Sequence, residues 1–213
     1  SAPERTRNAL DLLPAALHAA TRLAASQPAN DVLGPATVVP TSVEARPESR
    51  NVIPDEVVLV LDWRVLPGAT LEGLVEDVRR ALEEALPAGT SADAWEVRAA
   101  SEHQVTYTGL AEDKNLFTPG FLMEPDDPLV LAAARAVGRR EGAGDAAVRP
   151  WTFATDGGWS CGVHGIATIG FAPGEERFAH TNRERLDLAE ARWAFERYPV
   201  LIDALHAYLA GAA

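Results

Sequence analysis

Residues 50–86 read RNVIPDEVVLVLDWRVLPGATLEGLVEDVRRALEEAL. In the first half, Val57, Leu59, Leu61 and Trp63 alternate with Val58, Val60, Asp62 and Arg64. Period-two alternation is the mark of a β-strand, and the unbroken apolar run at its start predicts cover on both faces. Pro67-Gly68 supplies a turn, and Thr70 stands where a helix needs an N-terminal cap. Leu71, Leu74, Val75, Val78 and Leu82 then fall on one helical stripe. A strand, a tight turn and an amphipathic helix therefore follow one another within 37 residues.

Upstream, residues 8–26 have helical spacing, with Leu10, Leu13 and Leu17 on one side. Pro14 fits if Asp11 caps the helix and places the proline in its first turn. Residues 27–34 read as a loop and 35–46 as a strand; downstream, 94–107 read as another strand. The order α–β–β–α–β is a ferredoxin-like layer, β–α–β–β–α–β, without its first strand. That order and the absence of methionine at Ser1 predict further sequence upstream.

Residues 109–125 read as a linker containing proline and glycine. Asp127-Pro128 opens a helix expected to run to about Glu141 and stop at Gly142. Residues 147–154 and 166–172 read as buried strands. Asp187 and Glu190 are spaced like a capping box at the start of a last helix, which Pro199 is expected to interrupt. The second half is thus α–β–β–α, a piece of an α/β sandwich.

The 213 residues are 47% hydrophobic and 23% charged, an ordinary globular composition. The formal net charge is −12 with no basic stripe, which argues against a nucleic-acid partner. No run of 18 apolar residues reads as a membrane span, and the first residues carry no signal-peptide pattern. Cys161, the single cysteine, excludes an internal disulfide framework and fits a cytoplasmic protein.

Five histidines are candidates for chemistry. His18 and His206 lie in helices and read as surface imidazoles; His103 sits on a strand and His164 in a short loop. His180 stands apart, in a loop just after an expected buried strand, where a rigid scaffold commonly holds site residues. One histidine does not make a catalytic zinc site, which needs three protein ligands and an open position. Glu175, Glu176 and Glu184 nearby read as a solvated rim, so the remaining ligands are expected outside this chain. Gly158-Trp159-Ser160-Cys161-Gly162 matches G-x-S-x-G, which raises a serine-hydrolase reading with Ser160 as nucleophile. That motif needs strand–turn–helix context, and here an expected strand follows it instead.

Taken together, NVIPDEVVLVLDWRVLPG (51–68), TYTGL (106–110), FATDGG (153–158) and GIATIGFAPGEERFAHTNRERL (165–186), with SAPERTRNAL (1–10), resemble the ArgE/DapE family of zinc amidohydrolases and metallopeptidases. The resemblance extends along the whole chain. It implies an α/β protein with a ferredoxin-like α+β lid, or dimerisation domain, at residues 1–108. Residues 109–213 would be the C-terminal part of the catalytic domain.

The resemblance further implies two zinc ions in the intact site, with cobalt or manganese as alternatives. It makes His180 the last metal ligand, Arg64 the grip on a substrate carboxylate, and Asn51 a lid contact to the scissile carbonyl region or a neighbouring subunit. Thr155, Asp156 and Gly157 would line the substrate pocket; a plain Asp-Gly turn is the competing reading. No catalytic residue is retained. Expected partners are a second copy through the lid, the N-terminal catalytic segment, and a small N-acylated amino acid or peptide, with no membrane and no nucleic acid. The implied activity is amide hydrolysis, with this chain inactive alone. The alternative is a non-catalytic dimerisation or binding module.

Overall fold

The computed structural model describes residues 6–45, 47, 49–138 and 148–211. It is a mixed α/β protein of helices and small antiparallel sheets, as the sequence predicts. The chain divides into two compact units, Ser1–Gly120 and Phe121–Ala213.

In the first unit a 3-10 turn, Ala9–Leu12, precedes helix α1, Leu13–Ala25. Pro14 lies in the first turn of α1, where its missing N–H costs nothing. The cap is not Asp11 as expected. Asn8 fills that role one turn earlier, its Oδ1 accepting from the Leu10 N–H at 3.1 Å. The expected loop 27–34 contains a two-residue strand β1, Ala29–Asn30, which pairs with β2, Gly34–Pro35.

Strand β3, Thr37–Ala45, then pairs antiparallel with β4, Val57–Arg64. The register slips between Pro40 and Ser42, where proline has no N–H to give the ladder. α1 packs on this hairpin, burying Ala19, Ala20 and Leu23 together with Val38. Gln27 ties the layers, donating to the Leu23 carbonyl and accepting from the Trp63 indole at 2.8 Å.

β4 alternates as predicted, yet it is covered on one face only. Val58 and Val60 are exposed, because a two-stranded sheet carrying α1 on one side leaves its other side open. Helix α2, Leu71–Ala85, is capped by Thr70, whose Oγ1 accepts from the Gly73 N–H. It packs against α1 and buries Leu82.

The expected strand 94–107 is shorter and paired differently. Strand β5, Ser101–Val105, forms a hairpin with β6, Ala111–Asn115, which lies in the expected linker. The TYTGL segment makes the turn. The Gly109 N–H donates back to the Thr106 carbonyl at φ +84, a backbone region that favours glycine. Local closure satisfies the strand, so β5 does not join the β3–β4 ladder.

In the second unit Asp127 caps helix α3, Pro128–Val137, accepting from the Leu129 N–H at 2.8 Å. The helix stops at Gly138, where φ is +66, earlier than expected; the expected end at Glu141 and Gly142 lies outside the described residues. Helix α4, Leu188–Gly211, is capped by Asp187 as predicted, with Oδ1 accepting from the Ala189 and Glu190 N–H groups. Pro199 does not divide it. α3 and α4 pack together over Leu129, Val130, Ala133, Ala194 and Leu201.

Neither expected buried strand forms among the described residues; Ala147, the start of the first, lies outside them. Val148, Trp151 and Ile166 are exposed. A strand exists by lateral pairing, and these segments have no described strand beside them. Side chains hold the second one instead. The Tyr198 hydroxyl donates to the Phe171 carbonyl at 2.9 Å, and the Phe171 ring meets Tyr198 and Trp193 edge-on.

Candidate functional site

The residues around His180 come from two segments, 151–160 and 175–185. Glu176 joins them. Its carboxylate accepts from the Thr152 N–H at 2.7 Å and also from the Thr152 hydroxyl. That brings the Phe153 ring against the His180 imidazole, with centroids 4.9 Å apart and planes tilted by 59°.

The loop itself is closed by short local bonds. The Thr181 hydroxyl donates to the Phe178 carbonyl at 2.7 Å, and the Glu184 N–H donates to the Thr181 carbonyl at 3.1 Å. The Glu184 carboxylate turns back to accept from the His180 N–H at 3.0 Å. His180 itself has φ +59, the only non-glycine residue among those described with a positive value. The left-handed region costs a side-chain-bearing residue about 1 kcal/mol or more, so the surrounding bonds must hold it there. Arg177 and Arg185 lie over the Phe178 ring, at 4.7 and 4.5 Å from its centroid, and both reach Glu175.

The three glutamates read as a solvated rim are thus surface groups that each fasten something. Glu175 holds the arginines, Glu176 holds Thr152, and Glu184 holds the His180 amide. Sequence reasoning missed Phe153, Glu176 and Glu184 as site residues. The FATDGG (153–158) and GEERFAHTNRE (174–184) segments contained the signal, but spacing alone could not show that they meet.

Thr155, Asp156 and Gly157 follow Phe153 directly. The Thr155 hydroxyl oxygen accepts from the Gly157 N–H, and the Asp156 carbonyl accepts from the Trp159 and Ser160 N–H groups. Gly157 is buried under Phe121; a Cβ there would stand 2.4 Å from the ring. The segment Gly158–Val163 that follows is a π-helical turn, and the described residues directly before it, 148–157, form no strand. The Ser160 hydroxyl meets Thr168 Oγ1 at 2.7 Å and donates to the Asp156 carbonyl at 3.3 Å, an arrangement unlike a nucleophile elbow.

Arg64 and Asn51 belong to the first unit. The Arg64 guanidinium meets Asp62, with Nε 3.0 Å from Oδ1 and Nη2 3.3 Å from Oδ2, both side chains half exposed. Asn51 is exposed and bonded to the Ser49 hydroxyl. Of the other histidines, His103 shares its Nδ1 with Asp113 at 2.7 Å across the β5–β6 hairpin, while His18, His164 and His206 are exposed.

Among the described residues, none hydrogen-bonds the His180 ring nitrogens; the contacts at this residue are to its backbone N–H and to the ring face. A full metal site is another matter. No three His, Cys, Asp or Glu residues among those described are grouped to hold an ion. No helix among them is long and apolar enough to cross a membrane.

Residues 1–90 match the family model of the peptidase dimerisation domain, M20_dimer. The chain is 31% identical over 185 residues to "Uncharacterized protein YgeY" of Escherichia coli strain K12, and equally to its counterpart in Escherichia coli O157:H7. These alignments cover 87% of this chain and 44% of each relative, so the chain spans less than half the length of the curated relatives it matches. No solved structure matches it significantly. The first 90 residues are thus similar to a peptidase dimerisation domain.

Proposed function

We propose that this chain is part of a zinc-dependent amidohydrolase that cleaves the amide bond of N-acyl amino acids or short peptides. Residues 1–108 form its lid and residues 109–213 the C-terminal part of its catalytic domain. The observation that carries this reading is a dimerisation-domain match in the same chain as the built loop around His180.

His180 would supply one imidazole to the metal site, and the other ligands and the general base would come from outside the described residues. Zinc, when bound, supplies Lewis acidity toward the amide carbonyl. The remaining work falls to side chains of this chain. Arg64 presents a planar fork suited to a carboxylate. Its present partner Asp62 is a half-exposed neighbour, and such pairs contribute about 0–1 kcal/mol, so a substrate carboxylate can displace it. Thr155, Asp156 and Gly157 would form one wall of the pocket, and Asn51 would reach the substrate or a second copy.

Titration of the chain with zinc tests the reading. Weak binding that disappears in His180→Ala is the expected result, with no hydrolysis of N-acetyl amino acids by these residues alone. Zinc-dependent hydrolysis by the 213 residues alone would overturn the claim that the site is completed from elsewhere. The dimerisation-module reading predicts self-association through the first unit, and sedimentation as a monomer at high concentration would sink it.

A further inference from the structure

We infer that Glu184 is a positioning residue for His180, acting on its backbone rather than on its ring. The inference rests on the reading of His180 as a ligand only for its purpose; the geometry stands without it.

His180 occupies the left-handed region at φ +59. Glycine is the ordinary occupant of such a position; histidine is among the few side-chain-bearing residues that visit it, and only as a minority state, so local contacts must hold it there. Two contacts do the holding. The Glu184 carboxylate accepts the His180 N–H at 3.0 Å, a charge-assisted bond four residues along the chain. The Phe153 ring backs the imidazole at 4.9 Å. Glu184 is itself fixed, because its own N–H donates to the Thr181 carbonyl at 3.1 Å and the Arg183 N–H donates to Thr181 Oγ1 at 3.2 Å.

The consequence is directional. Rotating φ of His180 from the left-handed to the right-handed region swings the Cα–Cβ bond away and takes the ring off Phe153. The Glu184 carboxylate, held on the His180 N–H from four residues downstream, is what blocks that rotation. Glu184 thereby decides where the imidazole nitrogens are offered, without touching them.

The test uses nuclear magnetic resonance on the full 213-residue chain. In Glu184→Ala, exchange of the His180 amide hydrogen should speed up by about tenfold, the effect of losing one charged-group hydrogen bond. The ring-current displacement of the His180 ring protons by Phe153 should shrink as well. Glu184→Gln, which keeps an oxygen acceptor, should restore both. Unchanged exchange and ring shifts in Glu184→Ala would overturn the inference. So would a loss of protection spread through the α4 amides, which would mean that Glu184 supports the unit as a whole. Zinc affinity tests the ligand reading separately: a clamp that behaves as described beside a His180→Ala variant with unaltered zinc binding would refute that reading alone.

Discussion

Replacing Gly157 with alanine tests the packing beneath the proposed pocket wall. The new methyl carbon would stand 2.4 Å from Phe121 Cε1 and 2.5 Å from Cζ. Carbon atoms rest at about 3.5–4.0 Å, so the ring or the turn must move by about 1 Å. Overpacking of this kind costs about 1–3 kcal/mol. A smaller effect opposes it. Gly157 has ordinary right-handed angles, φ −57 and ψ −29, so alanine fits its backbone and restricts the unfolded chain, contributing about 0.4–1 kcal/mol. The steric term wins, and a net loss of about 1–2 kcal/mol is expected.

Urea unfolding followed at the indole resonances of Trp159 and Trp193, both in the second unit, reads this directly. Phe121→Leu in the same chain should return about 1 kcal/mol, because contacting residues couple. A Gly157→Ala variant as stable as the parent, or more so, would refute the placement of Phe121 over Gly157.

Other perturbations separate surface from core. Leu82→Ala, at the buried seam of α1 and α2, should cost about 2–4 kcal/mol in denaturant unfolding of the first unit. Glu84→Gln, which removes the exposed partner of Arg22, should change the same measurement by less than about 0.5 kcal/mol. Asp187→Ala should lower the stability of the second unit by about 1 kcal/mol through loss of the α4 cap, visible as faster amide exchange in the first turn of that helix. Glu176→Ala should cost about 1 kcal/mol and detach Thr152 and Phe153, read as loss of the Phe153 ring-current effect on His180.

Helices were legible because their signals are local. Thr70, Asp127 and Asp187 cap where the spacing of polar and apolar residues says they should. Predicted strands formed only where a partner lies close by in sequence, and β1 and β6 formed where no strand was expected. β3 and β4 found each other across a short connection, and β5 turned back onto β6. The stretches at 147–154 and 166–172 carry the apolar pattern of strands, but a pattern cannot supply the neighbour that a ladder needs. The same rule governs the site. His180 stood out by its place in the sequence, whereas Phe153 and Glu176 became visible only when two loops met through a single carboxylate. Arg64 stands on the predicted strand, but only the structure shows that its guanidinium meets Asp62.

The left-handed backbone at position 180 sets stability and chemistry against each other at one residue. Glycine or asparagine there would relax the loop, and neither brings an imidazole. Selection for thermal robustness alone would therefore drive the position toward one of those two. A library sorted first for folding and then for zinc capture puts that opposition to the test: the proposed ligand role predicts glycine or asparagine enriched in the first sort and histidine in the second.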